Sequence, residues 1–481
     1  MASPFVVPVA AADAEPPEGS TDRIVPIREK LALGCGDVAV QTSHNTLHVL
    51  AQPIFTITMG MSPALVSSTA FIQRIWDAFI DPLVGKFSDR FSSRWGRRRP
   101  LIFLGAFPMA GFFVLLWHFP AHISSTGLFW YFLLVSLLFY AGHSLVSVPL
   151  NCLKIEASTN YNERTRVAAF SQAFRLVFEI GTGWIFPLTQ LAIFANPIVG
   201  LHWITAILGI AFFFAALTPA IVLRERIGNR AAERAKARAS GWNSDFRALL
   251  GNKPFVQLLA IRGIANIAYY LVQIFGTYMN YYYIYHGNIR AAAVMQGWLG
   301  TSFQIASIGA VLLLRTISVK IGKRACLIVA AASLIAGGVA KLFIYDTGWP
   351  WMQLVVYVLN PFGISGIVLM TTSMVADVVD YAELTTGQRR EGLHVAFLSW
   401  SDKVGNSVGT LLAGFILVWL GFQAKLGPQS LATLHGMKYT YAVIPALGAV
   451  VVMFLARSYK IDATYAKEMR RQLAQRETTS V

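Results

Sequence analysis

Apolar runs about 20 residues long recur from one end of this chain to the other, and that recurrence restricts the fold more than any motif does. A helix of roughly 20 residues covers the ~30 Å hydrocarbon core of a bilayer and satisfies its own backbone there. The runs fall near 31–57, 63–86, 100–119, 127–153, 166–192 and 198–223, then near 254–285, 291–315, 325–345, 350–377, 392–421 and 437–457. Composition agrees with them. Of 481 residues 55% are hydrophobic and 13% charged, about half the ~25% charge of a soluble domain, too little to build a water-facing surface. The expectation is an all-α membrane protein with twelve transmembrane helices.

The formal charge of +16 does not indicate nucleic acid, which needs basic residues gathered on one folded face. Here they lie between the apolar runs. With both termini on one side, that side receives all but eight of the 40 Lys and Arg residues. Three of the eight, Arg290, Lys425 and Lys438, fall between runs on the other side; Arg74, Arg175, Arg262, Lys341 and Lys403 fall inside runs. Basic loops are retained in the cytoplasm, so both termini are expected there, in a cell (inner) membrane. Cys35, Cys152 and Cys326 lack metal-ligand spacing and read as packing residues. The first 22 residues have no basic stretch ahead of an apolar core and do not read as a cleaved signal.

The stretch 224–253, with Arg224, Arg226, Arg230, Arg234, Lys236 and Arg238, reads as a solvated linker between six runs and six. The expected organisation is a disordered cytoplasmic tail (1–28), a six-helix bundle (29–223), the linker (224–253), a second bundle (254–457) and an amphipathic cytoplasmic tail (458–481). An internal repeat supports it. Arg94-Trp-Gly-Arg-Arg-Arg99 after the second run is echoed by Lys320-Ile-Gly-Lys-Arg324 after the eighth, with Gly96 and Gly322 226 residues apart. Duplicated bundles with a site between them near the midplane are the plan of secondary transporters.

An ionisable side chain at the bilayer centre costs about 2.5–3.5 kcal/mol on insertion scales, so each needs a partner, a hydrated cavity or a role. The richest set is Arg74-Ile-Trp-Asp77-Ala-Phe-Ile-Asp81-Pro in the second run. Spacings of three and four put Arg74, Asp77 and Asp81 on one helical face, with the carboxylates about 6 Å apart along the axis. Two such acids away from bulk water do not ionise together unless a cation joins them. The blander reading is an ion pair with Arg74 or Lys403, which still leaves one acid over. Lys403, deep in the eleventh run, is placed to compete with a cation for these acids. Asp402 beside it lies about 100° round the helix and need not share its partner. Arg175 and Glu179 stand one turn apart and either neutralise each other or meet a ligand. Tyr269 and Tyr270 suit hydroxyl contacts or ring stacking; most of Tyr281–Tyr285 reads as an interfacial aromatic belt. No Ser/His/Asp set, metal motif or phosphate loop points to an enzyme, and no cofactor is implied.

At Arg74–Pro82 and at Ser93-Arg-Trp-Gly-Arg-Arg-Arg-Pro100 the sequence resembles the glycoside-pentoside-hexuronide:cation symporter family of the major facilitator superfamily, the family of the melibiose permease. Gly36-Asp37, Met374-Val-Ala-Asp377-Val-Val-Asp380-Tyr-Ala-Glu383, Arg390-Glu-Gly392, Lys403-Val-Gly405 and the tail Tyr465–Arg476 follow in the family's order. The resemblance implies a major facilitator fold of two pseudo-symmetric six-helix bundles and alternating access, and the chain is expected to act as a monomer. It implies a cation site at Asp77, Asp81 and Ser144, a sugar site at Asp37 and Arg175 with Ser147 and Asn151 on the fourth run, and coupling through Arg74 and Lys403. Gly85, Asp89, Arg90, Gly96, Arg97 and Arg98 would form a cytoplasmic latch. The coupling ion is H+ or Na+. Where the permease has an asparagine between its two acids this chain has Ile80, which removes an oxygen from any sodium site and favours the proton. Ser147 and Asn151 stand where it has an aspartate and a tryptophan, so a galactoside does not follow. Sugar:cation symport leads; a cation-coupled lysolipid transporter on the same scaffold and a non-transporting membrane sensor are the alternatives.

Overall fold

The computed structural model describes residues 24–91, 93–120, 123–158, 161–223, 225, 249, 251–345, 348–387, 391–424 and 428–479. Most of the expected tail 1–28 and of the linker 224–253 lies outside these residues. Among the described residues the chain is helical throughout. The first half holds α1 (Ile27–Ala51, running on as a π turn, Gln52–Thr58), α2 (Pro63–Arg90), α3 (Arg99–Trp117) and α4 (Ser125–Glu156). It continues with α5 (Tyr161–Glu179, extended by a 3₁₀ turn Ile180–Trp184 and by Ile185–Thr189) and α6 (Pro197–Val222). The second half holds α7 (Lys253–Ile284), α8 (Ile289–Ile321), α9 (Lys323–Ile344), α10 (Pro350–Thr386), α11 (Glu391–Trp419) and α12 (Leu431–Ser458), followed by α13 (Ala463–Thr479).

Local chemistry sets several ends. Asn196, Asn252, Asn288, Ser124 and Ser430 each accept a backbone N–H in the first turn of the following helix. Gly322 (φ 82°) and Gly387 (φ 70°) stop α8 and α10 in backbone conformations that suit glycine. Eight stretches, α3, α4, α6, α7, α8, α9, α10 and α12, are long and apolar enough to cross a bilayer. The other four, α1, α2, α5 and α11, include Asp37, Arg74, Asp77, Asp81, Arg175, Glu179, Asp402 and Lys403.

One apolar core, with Leu50, Phe113, Phe139 and Phe212, fills the first half and continues into the second through Phe275, Tyr278, Leu417 and Tyr441; another, with Phe255, Leu327, Ile367 and Val452, lies within the second half. In the second half, α11 is pressed onto α7 through Gly405 and Gly409, where an added Cβ would sit 2.6 Å from the Asn266 Cβ and 2.5 Å from the Ile267 carbonyl oxygen. Small residues at this spacing let helix backbones approach closely.

The end of the molecule bearing Ile27 and Ser458 is here the terminal side. Contacts between the halves concentrate at the opposite, far side. There the Tyr278 hydroxyl donates to Gln52 Oε1 (2.7 Å), Trp184 Nε1 donates to Thr301 (2.9 Å), and Gly414 of α11 lies against Ser67 and Pro63 of α2. Tyr281 and Tyr282 belong to this seam: both are buried, against Phe186 and Phe422, so the interfacial-belt reading does not hold for them. Lys438 likewise lies inside α12, buried, and not in a loop. The fifth run is not one continuous α-helix, because Gly181 and Gly183 fall in the 3₁₀ turn through which it meets α8. Toward the terminal side α8 is largely uncovered, with Leu312 and Val319 exposed. Midway along α2 and α11 the side chains of Asp81 and Lys403 stay partly exposed, and the opening that reaches them is here the vestibule.

Candidate functional site

Because Asp77 and Asp81 lie three and seven residues after Arg74 on α2, they share one face, and that face meets α11. Lys403 Nζ lies 3.1 Å from Asp77 Oδ2 and 3.1 Å from Asp81 Oδ2, so one ammonium from the second half bridges two carboxylates from the first. Ser144 of α4 donates to Asp81 Oδ1 at 2.7 Å. Asp77 is nearly closed off, its side chain 7% exposed, whereas Asp81 and Lys403 are 30% and 40% exposed to the vestibule. Asp81 and Lys403 are therefore open to solvent on one side, while Asp77 is held by protein.

Arg74 stands 4.0 Å from Asp77 and makes its closer contact elsewhere, 2.6 Å from His44 Nε2. A guanidinium only donates, so this nitrogen is an unprotonated acceptor and the His44 proton resides on Nδ1. Nδ1 then donates to the Tyr140 hydroxyl (3.0 Å), which in turn donates to His48 Nε2 (3.4 Å). Nε2 of His143, beside them, donates to the Val40 carbonyl (3.2 Å). The polar stretch of the first run, His44 to His48, is thus the fixed support of Arg74.

The expected substrate contacts are not gathered in one place. Asp37 is ion-paired with Lys154 of α4, and Arg175 with Glu179, which also accepts from Asn45 of α1 (3.0 Å). Ser147 is buried one turn from Ser144, and Asn151, a turn further on the same face, is exposed. Tyr269 departs from expectation: its ring packs on Phe303 (6.0 Å) and lines a small cavity inside the second half with Leu334, Asn360 and Pro445. The cause is its helical phase, which points it between α7 and α8. Tyr270 lies edge-on to Tyr269 (5.1 Å) and packs against Gly409 of α11.

The expected latch residues do converge. Gly96 adopts φ 102°, and the backbone N–H groups of Arg97, Arg98 and Arg99 all donate to the Glu225 carboxylate, at 2.7, 2.6 and 2.8 Å. Side chains of Arg97 and Arg98 reach Glu156 at 3.4 and 2.6 Å, and Arg98 stands 4.0 Å from Asp89. Arg90 is exposed, and an added Cβ at Gly85 would meet Val148 only at 3.9 Å, so neither is tightly held. Sequence reasoning missed Glu225, Lys154, Tyr140 and His143. Lys154 and Glu225 carry a readable signal: each is a charge at the end of an apolar run, matching an uncompensated charge on the same side. For Tyr140 and His143 the single chain offers none.

On the second-half side, Arg262 forks onto Asp402 with bonds of 2.6 and 2.7 Å, and Asn266 donates to the same carboxylate at 2.6 Å. Near the tail, Arg470 of α13 reaches Asp377 (2.8 Å) and Asp380 (3.4 Å) at the end of α10, and Lys323 reaches Asp377 (2.6 Å).

With this geometry in hand, comparison with known proteins is specific. The profile described as MFS/sugar transport protein matches residues 32–463. An uncharacterized symporter from Synechocystis sp. is 26% identical across 93% of this chain and 96% of its own length. The isoprimeverose transporter of Lactiplantibacillus pentosus is 25% identical across 91% of this chain and 90% of that protein. Among solved structures, a bacterial homolog of the human lysosomal transporter Spinster, in an inward-facing and unoccupied conformation, superimposes with a TM-score of 0.64 at 16% identity. It covers 92% of this chain and 97% of that one, a likeness of fold alone.

Proposed function

The chain belongs to the MFS/sugar transport protein family, a family of transporters and not of enzymes, and from that premise we propose that it moves a sugar or glycoside with a cation by alternating access. The observation that carries the reading is the Asp77–Lys403–Asp81 bridge, because it joins the two halves through charge alone. Only a cation bound at the same carboxylates, or a proton on one of them, weakens that bridge without breaking a covalent or apolar contact. Cation binding is thereby linked to the relative position of the halves, which is what coupling requires.

The coupling ion in this reading is the proton. Asp77, Asp81 and Ser144 supply few oxygens for sodium, and Ile80 adds none, whereas a proton needs one carboxylate. Asp81, bonded to Ser144 and partly exposed, and Asp77, nearly closed off, are the two carboxylates that share it. Lys403 and Arg74 transmit the change, and Arg175 lies on the substrate side of the cluster. All twelve long stretches cross the cell (inner) membrane in a monomer, with termini, latch and vestibule mouth cytoplasmic, because the basic loops lie on that side.

The test is uptake into proteoliposomes from a panel of pentosides and hexosides. A pH gradient, acid outside, should drive accumulation well beyond what a sodium gradient achieves. Asp77→Asn should abolish uphill accumulation while exchange of sugar across the membrane persists. Accumulation by that variant equal to the parent's would remove Asp77 from the cation site, and a response to sodium alone would replace the proton.

A further inference from the structure

The second bundle contributes a carboxylate that the cation cluster leaves unused. Asp402 precedes Lys403 but points about 100° away round α11. Oδ1 accepts from Arg262 Nε and Asn266 Nδ2, both at 2.6 Å, and Oδ2 accepts from Arg262 Nη2 at 2.7 Å. Arg262 is itself fixed, its Nη1 donating to the Val368 carbonyl (3.1 Å), Thr371 (3.1 Å) and Thr372 (2.8 Å). Helices α7, α10 and α11 thus converge on one side chain and hold it from behind.

An ionised carboxylate offers about four lone-pair sites, and the protein fills three. The Asp402 side chain is nevertheless 37% exposed, against 9% for Arg262. It therefore keeps an open edge, one residue along α11 from Lys403, which is itself 40% exposed. A bidentate fork prevents the carboxylate from turning, so the remaining acceptor has a fixed direction. Such an acceptor suits an alcohol donor, and sugar hydroxyls are alcohol donors at fixed angles. Among the described residues, Lys154 is paired with Asp37, Arg175 with Glu179, Arg262 with Asp402 and Lys403 with Asp77 and Asp81, while Arg74 is held by His44 and stands 4.0 Å from Asp77. An anionic substrate would have to break one of these pairs to be held.

We propose that Asp402, oriented by Arg262 and Asn266, is a second-half substrate contact that accepts a hydroxyl of an uncharged sugar, completing a site otherwise built from the first half. The inference rests on the transporter reading above. It assigns the substrate class, neutral glycosides over uronides, and gives the second half a specific grip on the sugar.

The experiment is equilibrium exchange in proteoliposomes, which needs no cation gradient. Wild type is measured on a neutral glycoside and on its uronide counterpart, and Asp402→Asn and Arg262→Lys on the neutral one. Expected are a KM for the uronide at least tenfold higher than for the neutral sugar, a KM raised about tenfold by Asp402→Asn with Vmax within twofold, and a smaller rise for Arg262→Lys. The proton concentration giving half-maximal exchange should move less than twofold in Asp402→Asn. An unchanged KM, or a loss of Vmax at constant KM, assigns the pair to helix anchoring and overturns the contact; preference for the uronide overturns the substrate class. Should Asp402→Asn fail to insert, monodeoxy sugars on wild type carry the test: one analogue should lose about tenfold in KM for wild type and far less for Asp402→Ser, and equal losses in both refute it. Wild type that exchanges no sugar sinks the transporter reading and this inference together, whereas active wild type with an indifferent Asp402→Asn sinks the inference alone.

Discussion

Replacing Gly414 by alanine should open the far side of the molecule. A Cβ at this position would lie 2.6 Å from the Pro63 carbonyl oxygen and 2.5 Å from the Ser67 Cβ, where 3.4 Å begins ordinary contact. Backbone cannot yield as a flexible side chain does, so α2 and α11 must separate by about 0.8 Å or the halves must part (3.4 minus 2.6 Å). Overpacking of this kind costs about 1–3 kcal/mol, and the cost falls only on the state in which the seam is closed. At ~1.4 kcal/mol per factor of ten, a 2 kcal/mol penalty raises the ratio of far-open to far-closed molecules roughly 30-fold. The reporter is Thr301→Cys at the α5–α8 seam, in a background with Cys35, Cys152 and Cys326 replaced, labelled with an impermeant maleimide from the far side. Its rate should rise by about the same factor in Gly414→Ala. A rate within twofold of the parent, in protein that still exchanges substrate, would show that this seam does not hold the state and would refute the argument.

Three other substitutions probe separate parts of the structure. Lys403→Gln removes the ammonium 3.1 Å from both acids, so uphill accumulation should fall more than tenfold in uptake assays while downhill exchange persists. Glu225→Gln exchanges a carboxylate that accepts three backbone N–H bonds for a neutral amide; hydrogen bonds to charged groups contribute about 1.5–3 kcal/mol, so thermal unfolding should shift downward with KM unaltered. Arg470→Ala breaks a largely exposed contact to Asp377 and Asp380; pairs of this kind contribute ~0.2–1 kcal/mol, so trypsin should trim the 463–479 helix only about 1.4- to 5-fold faster.

The helical plan was legible because the bilayer asks one question of each segment alone, whether it is long and apolar enough. For the same reason the least apolar helices, α1, α2, α5 and α11, announce the site: charge in a membrane helix is too costly to be idle. The Asp77–Asp81 face follows from a spacing within one helix, and Lys403 stood out as a single charge in an apolar run. What the chain alone does not disclose is partnership. Nothing local pairs Asp37 with Lys154 across 117 positions or Glu225 with the turn after α2. Tyr281 and Tyr282 misled for a related reason: a tyrosine near a helix end has the same local signature whether it faces headgroups or a sealed seam between two bundles. Tyr269 shows the limit of counting depth without phase, since one residue's rotation about α7 exchanges the vestibule for the interior of the second half.

Where α5 meets α8 the two main chains touch almost bare. A Cβ at Gly183 would reach the Gly297 carbonyl oxygen and the Gly300 Cα only at 3.4 Å, and the Trp184 ring lies across Gly297. Apart from the Trp184 ring and its bond to Thr301, little protrudes across this junction, so it can part with few side chains to disengage. Resistance to rocking then resides chiefly where side chains interlock, at the α2–α11 seam and in its ionic clasp, and the speed of the cycle should be tuned there.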